Sequence, residues 1–476
     1  MPDSHPPATL PRAPSPASAA SSPTLPTVVA AAGLVLLLAV VALTLHAGVP
    51  NEARWRLLAL VGACWAGFAV AAAALLRTPA RIAVPLLIAG AVALQVVAVS
   101  VGPRMTDDFY RYAWDGRVQA AGVDPYRYAP VDPSLARLRD DWLFPPACRS
   151  TAPVPCTRMN HPSVPTIYPP VAQAAFWLLH VVTVPWGADG GGALSLQLAA
   201  ALVALATTAA LLLVLRRVGG DPRRAVLWAW CPLVVLEAGN NAHVDVLAAL
   251  LVVCAAGLSA GRRPISAGLA IGAAIAAKVV PVLVLPALLA PIAARRRPLT
   301  SAAVRLLTAA AGFVALSYLP HVLAVGPHAL GFLPGYLDEE GYDGRGRFAL
   351  LRTVLPDGPA AVVSAALLVA VAVRTAFRGD PRRPWLAATV LTGLALALGG
   401  VTYPWYALLL VALVALGGRA EWLALAVAGY PGYFAGALHV SYVGSQRLGY
   451  GVALAVVCLV TLARCRRSAH RSEPVR

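Results

Sequence analysis

Two adjacent aspartates, Asp107 and Asp108, stand in the densest polar stretch of an otherwise apolar chain. Between Arg104 and Tyr128 they are joined by Asp115, Asp124, Arg111, Arg117, Arg127 and several aromatics. Neighbouring carboxylates repel, which raises the pKa of one of them and suits it to take a proton from a hydroxyl. The same pair also reads as a helix start, with Thr106-Asp107 as cap and Asp108 in a first turn favoured by the dipole. Lys278 is the second candidate. It is the only lysine in the chain and lies between Ala277 and Val279 in an apolar run. A charge there is costly and by default functional; an ammonium facing the membrane surface could hold a phosphate, or it could snorkel from a helix end.

Two further constellations are weaker. The turn from Glu237 to Asp245 gathers Asn240, Asn241, His243 and Asp245, whose amides and carboxylates could hydrogen-bond sugar hydroxyls or line a plain loop. His243 and Asp245 are two residues apart, which is not the spacing of a helical metal pair, so no metal is expected. A polar loop near residues 321–352 carries Arg345, Arg347 and Arg352, able to clamp phosphate oxygens. Cys148 and Cys156 share one polar loop and could pair in an oxidising compartment.

The elements that must position these residues are membrane helices. The chain has 476 residues, 59% hydrophobic and 12% charged, with a mean hydropathy of +0.71. A soluble domain does not have this composition. The net charge of +17 comes from arginines in short loops between apolar runs, the positive-inside pattern, so no nucleic-acid partner is needed to explain it. Residues 1–26, rich in Pro, Ser and Ala, read as a disordered cytosolic tail. Residues 27–463 read as the membrane domain and 464–476 as a basic cytosolic tail.

Spans are expected near 27–47, 57–76 and 82–101, which delivers residues 102–192 to the outside of the membrane. Ile167–Trp186 is apolar enough to be counted as a span. Crossing there would place Arg216, Arg217, Arg223 and Arg224 outside against the charge rule. Residues 168–186 are therefore expected to lie in the interface as a surface helix. Residues 265–294 run between two basic clusters and are expected to form two short or broken helices meeting near Lys278. Further spans are expected near 193–215, 225–238, 244–260, 300–320, 357–374, 385–400, 404–417, 420–436 and 448–463, for about 14 crossings (11 at the fewest). The fold class is an all-α polytopic bundle. Gly-Asp-Pro-Arg-Arg occurs at 220–224 and 379–383, but the match ends within a few residues, so the repeat favours two cytosolic turns over a duplicated transporter.

The segment TDDFYRYAWDGRVQAAGVDPYRYAP (106–130) resembles the first outer loop of GT-C type glycosyltransferases that use polyprenyl-phosphate sugars. The likeness is greatest to the bacterial mannosyltransferases of family 87 and the related polyprenol-phosphomannose-dependent α-1,6-mannosyltransferases. It continues in order through IYPPVAQ (167–173), EAGNNAHVDVLAALL (237–251), AKVVPVLVLP (277–286), GYDGRGRF (341–348) and TYPWYALLL (402–410).

The resemblance implies an inverting transfer of mannose, or alternatively arabinofuranose, from a polyprenyl-phosphate donor. The acceptor would be a glycolipid or polysaccharide outside the cytoplasm, at the plasma membrane. It points to Asp108 as the base, with Asp107 second, because Tyr112 follows Asp108 as the family's aromatic does. Lys278, Arg345 and Arg347 would steady the departing phosphate. Asn240, His243, Asp245, Tyr168, Arg111 and Tyr112 are the candidate sugar and acceptor contacts. Phosphate is a good leaving group, so neither metal nor other cofactor is called for. From another class, a lipid or solute transporter remains the alternative.

Overall fold

The computed structural model describes residues 24–146, 156–183, 192–293, 301–341, 347–380 and 382–471. Among them there is no strand, and the architecture is an all-α polytopic bundle. Arg345 and most of the expected N-terminal tail lie outside the described residues.

Three long helices come first: α1 (Leu25–His46), α2 (Pro50–Leu75) and α3 (Ala80–Ala98). Proline opens the first two at positions whose N–H has no helical partner. Gly33 lets α1 lie directly on α2, since a Cβ there would come within 2.9 Å of Ala71 Cβ. Beyond α3 the chain forms α4 (Asp108–Ala120), then α5 (Pro170–Thr183). At 14 residues, α5 is about 21 Å long, short of a bilayer core of about 30 Å, as expected of a surface helix.

The bundle resumes with α6 (Ala193–Arg217), the single turn α7 (Val226–Ala229) and α8 (Asp245–Ala260). Between α7 and α8 lies a π-helix, Val234–Asn240, bent from α8 by 115°. Next, α9 (Pro264–Ala277) stops at Lys278, whose backbone is extended. A 3₁₀ turn, Val280–Val284, leads from there into α10 (Leu285–Ala293). The expected break at Lys278 is therefore present. Helices α11 (Ser301–Val325), α12 (Leu333–Glu339), α13 (Asp357–Arg378), α14 (Pro384–Gly399) and α15 (Leu408–Gly417) follow. Three short pieces, α16 (Ala424–Val427), α17 (Gly429–Tyr433) and α18 (Ala435–Leu438), lead to the long α19 (Tyr442–Arg471).

Seven of the described helices are long and apolar enough to cross a membrane, or eight if the bent pair is one span. Shorter apolar helices, among them Pro264–Ala277, Val280–Leu289, Pro384–Gly399 and Pro404–Gly417, stand outside that number, and the expected total of about fourteen crossings included them. Residues 225–238 and 420–436 are apolar but carry Pro232 in one case and Gly429, Pro431 and Gly432 in the other. Both break into turns too short to span. Leucines such as Leu36, Leu202, Leu323 and Leu448 are more than half exposed, the surface that lipid covers.

Close backbone approach fixes α4 on α5. A Cβ on Gly116 would meet Phe176 O at 2.5 Å and its carbonyl carbon at 2.9 Å, atoms of a helix backbone that cannot swing aside. Gly116→Val should therefore cost about 1–3 kcal/mol through overpacking. A lowered unfolding temperature of the detergent-solubilised protein checks this; an unchanged one would mean that α4 and α5 slide apart freely.

Candidate active site

Asp107 stands at the N-cap of α4 without a side-chain cap bond, Asp108 is the first residue of the helix, and Thr106 Oγ1 accepts from the Asp108 amide at 3.2 Å. They also line a cavity of about 310 Å³. The backbone leading to them is braced from below by the Asn240-Asn241 pair. Asn240 Nδ2 donates to the carbonyls of Ala98 (2.9 Å) and Val101 (3.0 Å). Asn241 Oδ1 accepts from the amides of Arg104 (3.3 Å) and Met105 (3.2 Å). The Tyr433 hydroxyl donates to the Met105 carbonyl from α17. Asn160 Nδ2 bridges both acids, at 3.0 Å to Asp107 Oδ1 and 2.7 Å to Asp108 Oδ1.

Asp107 is exposed at the mouth, whereas the Asp108 side chain keeps only 16% of its surface open. Burial pushes the Asp108 carboxyl up to about 6. The Lys278 ammonium and the Asn160 bond pull against that shift, while Asp107 and Asp245 add to it. A carboxylate titrating there is ionised near neutrality and still basic enough to share a hydroxyl proton.

Lys278 enters the same cavity from the broken helix. The break explains how a charge is tolerated: extended backbone at the end of α9 aims the side chain into a polar recess. Its Nζ bonds Asp245 Oδ2 at 3.1 Å, 5.0 Å from the Tyr406 ring centroid and 5.7 Å from that of Tyr168. Tyr168, Lys278, Tyr336 and Tyr406 also border a second, apolar cavity of about 270 Å³. That groove runs between Val279, Val282 and Leu283 on one side and Leu333, Leu337 and Leu396 on the other. Arg347 lies along it, with Nη1 donating to Glu340 Oε2 at 2.6 Å and to the Glu340 carbonyl at 2.8 Å.

The other candidates separate. Tyr168 lines both cavities. Arg111 borders the polar one but acts as a clasp, bonding Asp115 Oδ1 at 2.9 Å and the carbonyls of His161 (3.4 Å) and Val164 (3.2 Å). It thereby holds the loop that carries Asn160. Tyr112 is buried away from the cavity, stacked on Phe176 at 4.5 Å. Asn240, His243 and Asp245 do not line the cavity either. Asn240 is a brace, Asp245 anchors Lys278, and His243 lies behind Asp108. Asn240 Nδ2 is turned to backbone carbonyls and Asp245 to Lys278, while the His243 nitrogens face Asp108 and Glu237; none of the three borders the polar cavity. Sequence reasoning missed Asn160, whose polar loop carries no spacing signal, and Trp405 and Tyr433, which lie in apolar stretches expected to be spans. Among the described residues no group of His, Cys, Asp and Glu is arranged to hold a metal. Cys156 is disulfide-bonded; Cys148, its expected partner, lies outside the described residues.

No curated protein and no solved structure gives a match to this chain. Residues 166–398 match the model of glycosyltransferase family 87, a stretch holding α5, the broken helix at Lys278, Arg347 and the apolar groove. On that match the chain is a membrane glycosyltransferase, consistent with the GT-C type.

Proposed function

We propose that this enzyme transfers a hexose, mannose in the first instance, from a polyprenyl phosphate to a hydroxyl of an extracytoplasmic glycolipid or polysaccharide, with inversion. The observation that carries the reading is the meeting of two unlike cavities at Lys278. A polar one holds Asp108, and an apolar one is bordered by Arg347. A lipid-linked sugar has the same division, with an apolar tail, an anionic phosphate at the junction and a polar sugar beyond.

In this reading the prenyl tail lies between Val279–Leu283 and Leu333–Leu337. Lys278 and Arg347 face the phosphate, and the sugar's anomeric carbon is presented toward Asp108. Asp108 takes the acceptor's proton, the freed oxygen pair forms the new bond to the anomeric carbon, and the C–O bond to phosphate breaks. Charge gathers on the leaving phosphate, where the ammonium and guanidinium stabilise it more than in the ground state. A single base on the attacking face suffices for inversion; retention would need a nucleophile close to the anomeric carbon.

The test is transfer of radiolabelled mannose from polyprenyl-phosphate mannose to lipid or polysaccharide in membranes containing the protein. Polyprenyl-phosphate arabinofuranose run in parallel separates the two donors. Movement of lipid across the membrane with no covalent product would establish the transporter instead. For the base, the active form is the ionised one, so kcat should rise with pH through about 6 and level off above. A profile that is flat from pH 5 to 8 would remove Asp108 from the chemical step.

A further inference from the structure

Behind Asp108, on the side away from the cavity, sits His243, fully buried. Its Nδ1 is 3.7 Å from Asp108 Oδ2 and its Nε2 is 3.5 Å from Glu237 Oε2. Neither nitrogen makes a hydrogen bond among the described residues. A buried ring with two unpaired nitrogens, each facing a carboxylate oxygen just beyond bonding distance, is not what a space-filling histidine leaves.

The surroundings hold the ring in this line. Trp405, which borders the cavity, stacks on it at 3.9 Å and 20°, leaving its plane little freedom to tilt. Glu237 is fixed in turn by Asn241 Nδ2 at 2.8 Å and the Tyr430 hydroxyl at 3.5 Å. The backbone adopts two unfavourable conformations to deliver these groups. Glu237 stands in a π-helix, and Ala242, just before His243, has φ +58°, a left-handed value unusual for a residue with a Cβ. Such departures persist where the surroundings enforce them, and they concentrate at functional sites.

We propose that His243 is a positioning residue for Asp108, the middle of a Glu237–His243–Asp108 line, an inference that rests on Asp108 being the base. With its proton on Nε2, the nitrogen that faces Glu237 Oε2 at 3.5 Å, the ring keeps the lone pair on Nδ1, facing Asp108. A lone pair opposite an ionised carboxylate makes no bond, which accounts for the 3.7 Å gap. Asp108 Oδ1 accepts from Asn160, so Oδ2 is the oxygen that receives the acceptor's proton. Once protonated, Oδ2 can donate to Nδ1 and the gap closes. The interaction exists only as the proton arrives on Asp108. It therefore stabilises the transition state and not the bound substrates. Nothing is consumed: the acceptor loses a proton to Oδ2, and the imidazole keeps its own.

Two substitutions test this in the full-length protein, assayed for sugar transfer. His243→Phe keeps an aromatic ring on Trp405 but removes the acceptor, and should lower kcat about tenfold or more with KM for donor and acceptor unchanged. His243→Asn offers a carbonyl oxygen near the place of Nδ1 and should recover a good part of that loss. Combined with Asp108→Asn, which cannot take the acceptor's proton, His243→Phe should add no further loss of kcat. The inference is overturned if His243→Phe retains the wild-type kcat, if it acts through KM, if Asn does no better than Phe, or if its effect persists beside Asp108→Asn. A fully active Asp108→Asn enzyme would overturn the assignment of the base and this inference with it. An inactive one beside an unaffected His243→Phe would overturn this inference alone.

Discussion

Asp108→Asn should lower kcat for sugar transfer by about 10²–10⁴-fold, the usual worth of a positioned general base, while the protein accumulates in membranes as before. The amide is nearly isosteric and can keep its oxygen toward Asn160, whose Nδ2 lies 2.7 Å from Asp108 Oδ1, so the cavity should keep its shape. What is lost is the ability to receive a proton. Asp107→Asn should do much less, because that side chain is exposed and shares only the 3.0 Å bond from Asn160. Measuring kcat for both variants separates two neighbours that the sequence leaves nearly equivalent. Equal losses would mean that the pair acts as one unit, and a silent Asp108→Asn would remove it as the base.

The second large effect falls on Lys278. Lys278→Met should cost about 10²–10³-fold in kcat if the ammonium meets charge on the leaving phosphate. The variant carries a confounding cost. Asp245 is buried, and its 3.1 Å partner would be gone; an unpaired buried charge costs about 3–5 kcal/mol. Loss of activity could then be loss of folded protein. Lys278→Met combined with Asp245→Asn removes both charges and should restore the unfolding temperature without restoring transfer. If transfer returns with stability, Lys278 is a structural counter-ion only. Lys278→Arg should keep part of the rate, although the forked head does not fit the place of a compact ammonium.

The parts of this molecule that were legible in the sequence are those with a strong one-dimensional signal. Long apolar runs between arginines gave α1, α3, α6, α11 and α13 within about five residues at each end, whereas α2 and α19 begin earlier than expected and α19 also runs on past its expected end. Lys278 stood out because a lone lysine in an apolar run needs a reason, and the broken helix supplies it. Charge bookkeeping kept α5 out of the count of spans, and at 14 residues it is too short to be one. The bounds of spans were least legible where hydrophobicity and helix continuity part company. Residues 225–238 and 420–436 are apolar because they are buried in protein, and their prolines and glycines serve turns there.

The turn at Asn240–Asp245 was legible as polar but not as to which way it faces. Apolar neighbours say that a group is buried; they do not say whether its partner is a ligand or a backbone carbonyl. Asn240 and Asn241 satisfy the chain leading to Asp108, a relation spanning well over a hundred residues that no local pattern carries. Asn160 was invisible for the same reason, since it matters only once Arg111 has clasped its loop against α4.

The groove beside Lys278 has a consequence for how rates on this enzyme must be read. Val279 and Val282 on its rim are each 44% exposed on an apolar surface, so under the proposed function a donor with a hydrocarbon tail would come in sideways, from within the bilayer. On the proposed function, encounter would be a two-dimensional search, and the quantity that saturates the enzyme would be the donor's share of the surrounding lipid. Moles per litre of suspension do not measure it. Added detergent or inert phospholipid competes by spreading the substrate over more surface, and two preparations agree only when that surface is the same.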